Sequence, residues 1–157
     1  MAIVSVYIGA GGPPVSMDLL LAMPAIFLIT GGSMAFNDYF DRDLDRVAHP
    51  TRPIPAGILL PREALWFSIV SFGLAVLLSL LINFWCLSLS IFGIGFLGLY
   101  ETRFKQRGFM GNLVVAMLSS MAFIYGGAAV GHPGQAVVLS MVACFVILGR
   151  EILMDTR

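Results

Sequence analysis

The sequence predicts an all-α membrane protein, a multi-helix transmembrane bundle with about five full spans, on three observations. The 157 residues are 59% hydrophobic and only 11% charged, with a mean hydropathy of +0.93, whereas a soluble domain carries about 25% charged residues. Five apolar runs, 19–36, 64–82, 84–100, 112–130 and 136–150, reach or approach the roughly 20 residues a helix needs to cross hydrocarbon. None alternates with a period of two, and lipid admits only helices or closed barrels, so the runs are helices.

Each element follows from its own punctuation. Residues 1–10 are apolar but too few to span, and Gly11-Gly12-Pro13-Pro14 ends them, so they read as a partial first helix. The 19–36 run continues directly into an acidic segment. The 64–82 and 84–100 runs are separated by little more than Asn83, which forces an antiparallel hairpin. The 112–130 and 136–150 runs meet at Gly131-His132-Pro133-Gly134, a turn by composition in which His132 reads as a surface residue. Small residues recur inside the spans, as in Gly93, Gly95 and Gly98 or Gly126-Gly127-Ala128-Ala129, and in membranes they let helices approach closely. Cys86 and Cys144 sit in apolar runs and read as small hydrophobes, not a disulfide or a metal pair. The chain stops soon after a span, so the expected organisation is one transmembrane domain over 1–157, incomplete at both ends.

Charge sets the orientation. All nine basic residues fall on alternate connections: Arg42, Arg46, Arg52 and Arg62, then Arg103, Lys105 and Arg107, then Arg150 and Arg157. The opposite connections carry only Asp18. By the positive-inside rule the charged side is cytoplasmic, which in a prokaryote makes this a multi-pass plasma-membrane protein. The formal net charge is zero, which offers no basic surface for nucleic acid. No basic region precedes the apolar start, so no cleavable signal is expected.

The chemistry concentrates at the first charged connection. It reads Asn37-Asp38-Tyr39-Phe40-Asp41-Arg42-Asp43-Leu44-Asp45. At about 100° per residue, Asp38, Asp41 and Asp45 fall within roughly 60° of one another, while Asp43 lies about 140° from Asp38. Three carboxylates on one helix face at a membrane border repel each other and are costly to desolvate. A divalent cation resolves that cost, and oxygen-only ligands suit magnesium, which binds through one or two carboxylates together with substrate phosphates. The competing reading is a solvated loop whose aspartates pair with Arg42 and Arg46. An EF-hand is excluded, because Arg46 and Arg52 stand where that loop needs Gly and Glu.

Arg52-Pro53-Ile54-Pro55-Ala56-Gly57 follows, a stiff segment that holds Arg52, whose guanidinium can donate to phosphate oxygens. An arginine anchored at headgroups is the alternative. The second charged connection, Tyr100 to Asn112, brings cations that could face the acidic segment across a diphosphate. In the third patch Glu151 and Asp155 are four apart and share a helix face. No nucleophilic triad or Walker-type phosphate loop is present.

At these residues the sequence resembles the UbiA superfamily of membrane prenyltransferases. Asn37-Asp38-x-x-Asp41-x-x-x-Asp45 matches the family's first aspartate-rich motif, and Arg52-Pro53-Ile54-Pro55-Ala56-Gly57 matches its sequel. Tyr100-x-x-x-x-Lys105 with Gly111-Asn112 matches a third block, and Gly149-Arg150-Glu151 with Asp155 looks like the entry to the second aspartate-rich motif. The resemblance implies a bundle of nine helices around a membrane-open cavity, with both aspartate motifs at its cytoplasmic mouth. It implies that Asp38, Asp41 and Asp45 hold magnesium on an isoprenyl diphosphate and act catalytically, with Asp155 as a further metal ligand. Asn37, Arg52 and Lys105 would touch the diphosphate or its metal, and Tyr100 would steady the same site. The later acidic partners of Asp155 would lie past Arg157. Asn37-Asp38-Tyr39-Phe40-Asp41, Gly111-Asn112-Leu113-Val114-Val115-Ala116 and Gly149-Arg150-Glu151-Ile152 look closest to the archaeal-type members, which transfer geranylgeranyl to geranylgeranylglyceryl phosphate.

The expected activity is therefore transfer of an isoprenyl group to a lipid acceptor, or to an aromatic acceptor as in the quinone-type and chlorophyll-type members. Two other classes stay open. One is a transporter piece, although transporter sites lie near the midplane and these carboxylates lie at the border. The other is an inactive membrane fragment that keeps the architecture without the activity.

Overall fold

The computed structural model describes residues 17–105, 108–131 and 133–155. Among them are five helices and no strand: α1 (Met17–Ala48), α2 (Pro61–Ile82), α3 (Phe84–Leu99), α4 (Phe109–Ala129) and α5 (Pro133–Asp155). A π-helical turn, Tyr100–Phe104, continues α3. All five, α3 together with its π-helical turn, are long and apolar enough to cross a membrane. The expected partial helix at 1–10, His132, Arg107 and Arg157 lie outside the described residues.

The helix borders follow from local chemistry. Pro61 opens α2, where its missing N–H costs nothing, and the Glu63 carboxylate accepts the Leu60 N–H at 2.9 Å. Asn83 ends α2 in an extended conformation (φ −168°, ψ 170°) and caps α3, its Oδ1 accepting the Cys86 N–H at 2.8 Å. One residue thus makes the hairpin, as its sequence position requires. Before α4, Gly108 takes φ +50°, a left-handed conformation open to glycine.

The core is built from small side chains, because lipid supplies no hydrophobic drive between helices and close packing must do so. Ala22, Ala25, Cys86, Tyr125, Ala128 and Ala129 form its buried cluster at the end of the bundle opposite the charged connections. Gly32 lets α1 approach α2, since a Cβ there would sit 2.8 Å from the Phe72 ring. Large side chains such as Phe27, Trp66, Leu81 and Phe145 face outward, the arrangement expected when the surroundings are acyl chains. The buried Ser68 and Ser79 hydroxyls donate to carbonyls one turn earlier, Ala64 and Ala75. The chain is an integral membrane protein.

Length positions the site. The 32 residues of α1 extend about 48 Å at 1.5 Å per residue, well beyond a hydrocarbon core of about 30 Å. Its C-terminal turns, with the aspartates, therefore project past the spans.

Candidate functional site

Asn37, Asp38, Asp41 and Asp45 stand on the projecting part of α1, within one regular helix, so the face predicted from helical arithmetic is real. Asp43 lies on the far side, 67% exposed, and pairs with Arg42 at 3.7 Å and Arg46 at 3.4 Å. The solvated-loop pairing thus describes Asp43 and not the other three. Arg42 also stacks over Tyr39, 4.7 Å from the ring centroid.

The segment after α1 is a run of turns. Arg52 N–H donates to the His49 carbonyl, and the Pro53 carbonyl accepts from both Ile58 and Leu59. Gly57 allows the reversal with φ +72°. These turns aim Arg52 back at α1. Its Nη1 donates to Asp45 Oδ2 at 2.7 Å and stands 3.8 Å from Asp38 Oδ1. Asp45 is buried, at 5% exposure, and the hydrogen bond it accepts raises the Arg52 pKa above its ordinary value.

Lys105 reaches the same helix from the other side. In the π-helical turn the Lys105 N–H bonds the Tyr100 carbonyl, five residues back, at 3.0 Å. Such turns occur frequently at functional sites. The Lys105 ammonium donates to Asn37 Oδ1 at 2.7 Å and to Glu101 Oε2 at 2.8 Å, and pairs with Asp41 Oδ1 at 2.7 Å. Asn37 Nδ2 closes the ring by donating to Asp41 Oδ2 at 3.0 Å. An ammonium has three donors, and all three are taken. Burial alone would lower the Lys105 pKa, but the hydrogen bonds to Asp41 and Glu101 outweigh it and the net shift is upward.

The three aspartates therefore divide. Asp38 and Asp45 converge on Arg52, and Asp41 belongs to the Lys105 network. Glu101, whose side chain is 1% exposed, is the residue sequence reasoning missed, though its spacing of four before Lys105 was a usable signal. Arg103 is exposed. Tyr100 and Glu151 both line the cavity below, and Glu151 pairs with Arg150 at 3.5 Å. Asp155 is the last residue of α5, and its side chain lies outside the described residues.

Both clusters open on a cavity of about 910 Å³. Asn37, Asp38, Arg52 and Glu101 stand at its charged end, and apolar side chains such as Ile29, Ile94 and Leu118 line the remainder. Its inner end is polar again: Ser90 and Tyr125 line it, and both hydroxyls lie 2.7 Å from Ser79 Oγ. An elongated apolar ligand with a polar head matches this polarity.

The donor set also bears on a metal. Among the described residues no three acidic, thiol or imidazole side chains gather in a metal-binding group. Two carboxylates do converge, however, on a point now filled by a guanidinium nitrogen, and both are hard oxygen donors. One or two carboxylates completed by phosphate oxygens is the usual protein share of a magnesium site, so Asp38 and Asp45 fit the ion.

The class these features define is a helical membrane bundle with a largely apolar cavity and a charged mouth. The chain belongs to the UbiA prenyltransferase family, which it matches over residues 1–157. It is 35% identical over 148 residues to a digeranylgeranylglyceryl phosphate synthase of Thermococcus kodakarensis, covering 94% of this chain and 53% of the relative. Against the enzyme of that name from Natronomonas pharaonis it is 40% identical over 150 residues, covering 94% and 54%. A solved structure of a digeranylgeranylglyceryl phosphate synthase has a TM-score of 0.88 at 30% identity, covering 98% of this chain and 55% of that one. The chain thus spans about half the length of the relatives it matches.

Proposed function

We propose that this chain carries the donor half of a magnesium-dependent prenyltransferase that moves geranylgeranyl from its diphosphate to geranylgeranylglyceryl phosphate in membrane lipid synthesis. The observation that carries this is the charged mouth on a largely apolar cavity: Asp38 and Arg52 line one end, where Arg52 also holds Asp45, and side chains such as Ile29, Ile94 and Leu118 line its middle. The names of the relatives support the choice of acceptor. The basic residues on the connections at this end support a cytoplasmic mouth by the positive-inside rule.

In this account Asp38 and Asp45 would hold the magnesium, which would supply neutralisation of the charge developing on the leaving diphosphate. Arg52 donates to the diphosphate oxygens, and its planar fork suits them. Lys105 and Asn37 fix Asp41 and so hold the motif's helix face in register with the π-helical turn. The apolar walls take the isoprenyl tail and exclude water from the allylic centre as its C–O bond breaks and the acceptor oxygen bonds to that carbon. The acceptor's hydroxyl proton leaves to solvent or to a carboxylate at the mouth.

The test is a transfer assay on membranes containing this chain, with labelled geranylgeranyl diphosphate and either geranylgeranylglyceryl phosphate or an aromatic acid as acceptor. Magnesium-dependent product with the lipid acceptor, abolished by EDTA, is the expected result. Product only with the aromatic acid would move the chain to the quinone-type members. No product with either would mean that these 157 residues do not perform the transfer alone.

A further inference from the structure

Asp38 and Asp45 are the two carboxylates that converge, and the point they share is occupied by a side chain. Arg52 Nη1 lies 2.7 Å from Asp45 Oδ2 and 3.8 Å from Asp38 Oδ1. A divalent ion shared by these carboxylates would need the same space and the same lone pairs, so guanidinium and metal exclude each other there. The third aspartate offers no ready escape. Both Asp41 oxygens are engaged, Oδ1 by Lys105 and Oδ2 by Asn37, and the Lys105 ammonium has no donor left to trade.

Arg52 differs from Lys105 in this respect. Its side chain is 42% exposed, it sits on a loop of turns and not on a helix, and a guanidinium has five N–H donors. A diphosphate at the cavity mouth offers that guanidinium a more highly charged, bidentate partner than a single carboxylate. Drawing Arg52 onto the diphosphate would free Asp38 and Asp45 together. The diphosphate would also supply the oxygens that a two-carboxylate site lacks for magnesium.

We infer that Arg52 is a placeholder cation for the Asp38–Asp45 pair, so that the site takes its divalent ion as the metal–diphosphate complex and not as the free ion. This rests on the prenyl diphosphate reading for the identity of the ligand, but not for the exchange itself. It makes Arg52 oppose metal binding when no diphosphate is present and favour it when diphosphate is present. A residue that merely braced the loop would not produce opposite signs in the two conditions.

The experiment is a titration of the purified chain in lipid nanodiscs with Mn²⁺ alone, followed by the electron paramagnetic resonance signal of the free ion. Arg52→Gln should bind Mn²⁺ at least about tenfold more tightly than wild type, since removing one charge-assisted contact is worth that factor. Adding Asp45→Asn to Arg52→Gln should remove the gain. Arg52→Lys, which keeps a cation on the loop, should stay close to wild type. Unchanged or weaker Mn²⁺ binding in Arg52→Gln would overturn the exchange, as would a gain that survives Asp45→Asn. A parallel arm measures retention of geranylgeranyl thiolodiphosphate, a non-ionising donor analogue, by the wild type with and without Mn²⁺. No retention in either condition counts against the prenyl diphosphate reading, while the metal titration decides the exchange on its own.

Discussion

Replacing Lys105 by Met removes one ammonium and leaves three side chains without a shared partner. Lys105 Nζ contacts Asn37 and Asp41 at 2.7 Å and Glu101 at 2.8 Å. The Asp41 and Glu101 side chains are 17% and 1% exposed, so water cannot replace the lost cation at Glu101. Breaking a buried pair by removing one partner costs about 3–5 kcal/mol. For a chain of this size that corresponds to a fall in Tm of roughly 6–20 °C. The assay is thermal unfolding in mild detergent of Lys105→Met, of Glu101→Gln, and of the two combined. Most of the loss should come from the stranded Glu101 carboxylate, so Lys105→Met with Glu101→Gln should be more stable than Lys105→Met alone. A Tm for Lys105→Met within about 2 °C of wild type, a shift below about 1 kcal/mol, would refute the closed network. A combined variant less stable than Lys105→Met would refute the role given to Glu101.

Further outcomes follow from the same geometry. The raised pKa of Lys105 means that its contribution is full below the unfolded lysine value of about 10.4 and is lost only as pH rises through the higher folded value. The Tm gap between wild type and the combined Lys105→Met, Glu101→Gln variant should therefore stay flat from about pH 7 to 9.5, and a gap closing within that window would contradict the assignment. Gly111→Ala places a Cβ 3.0 Å from the Phe104 carbonyl oxygen. It should cost about 1–3 kcal/mol by overpacking and weaken donor binding, because the turn carrying Lys105 must shift; unchanged donor binding in a destabilised variant would separate that turn from the site. Asp43→Asn removes only exposed ion pairs and should change Tm by less than about 1 kcal/mol equivalent, with transfer activity retained; a large loss of activity would put Asp43 in the site.

The fold was legible because lipid makes strong demands on sequence. Runs of about 20 apolar residues leave few alternatives to a spanning helix, and Asn83 between two such runs permitted little but a hairpin. The face carrying Asp38, Asp41 and Asp45 was legible for a similar reason: all lie on one uninterrupted helix, where spacing alone sets direction. The division among them was not. Asp45 and Asp38 meet Arg52 through a loop whose turns depend on hydrogen bonds such as Ile58 N–H to the Pro53 carbonyl, and no periodicity encodes those. The apolar run ending at 100 was expected to give way to a connection, whereas the helix continues as a π-helical turn to Phe104. In a regular helix Tyr100 and Lys105 would lie about 140° apart; the five-residue hydrogen bond of the π turn, Lys105 N–H to the Tyr100 carbonyl, narrows that angle. Glu101 carries no motif of its own, and its burial against the Lys105 ammonium at 2.8 Å is a property of the folded turn that no spacing states outright.

The central claim is that the mouth formed by Asp38, Asp45 and Arg52 binds an isoprenyl diphosphate together with magnesium. The most direct measurement is equilibrium binding of labelled geranylgeranyl thiolodiphosphate to nanodiscs containing the chain, with magnesium or EDTA, for wild type and for Asp38→Asn with Asp45→Asn. Saturable binding that needs magnesium and is lost in the double variant is the predicted result. Saturable binding that survives EDTA, or that the double variant retains unchanged, would contradict the claim.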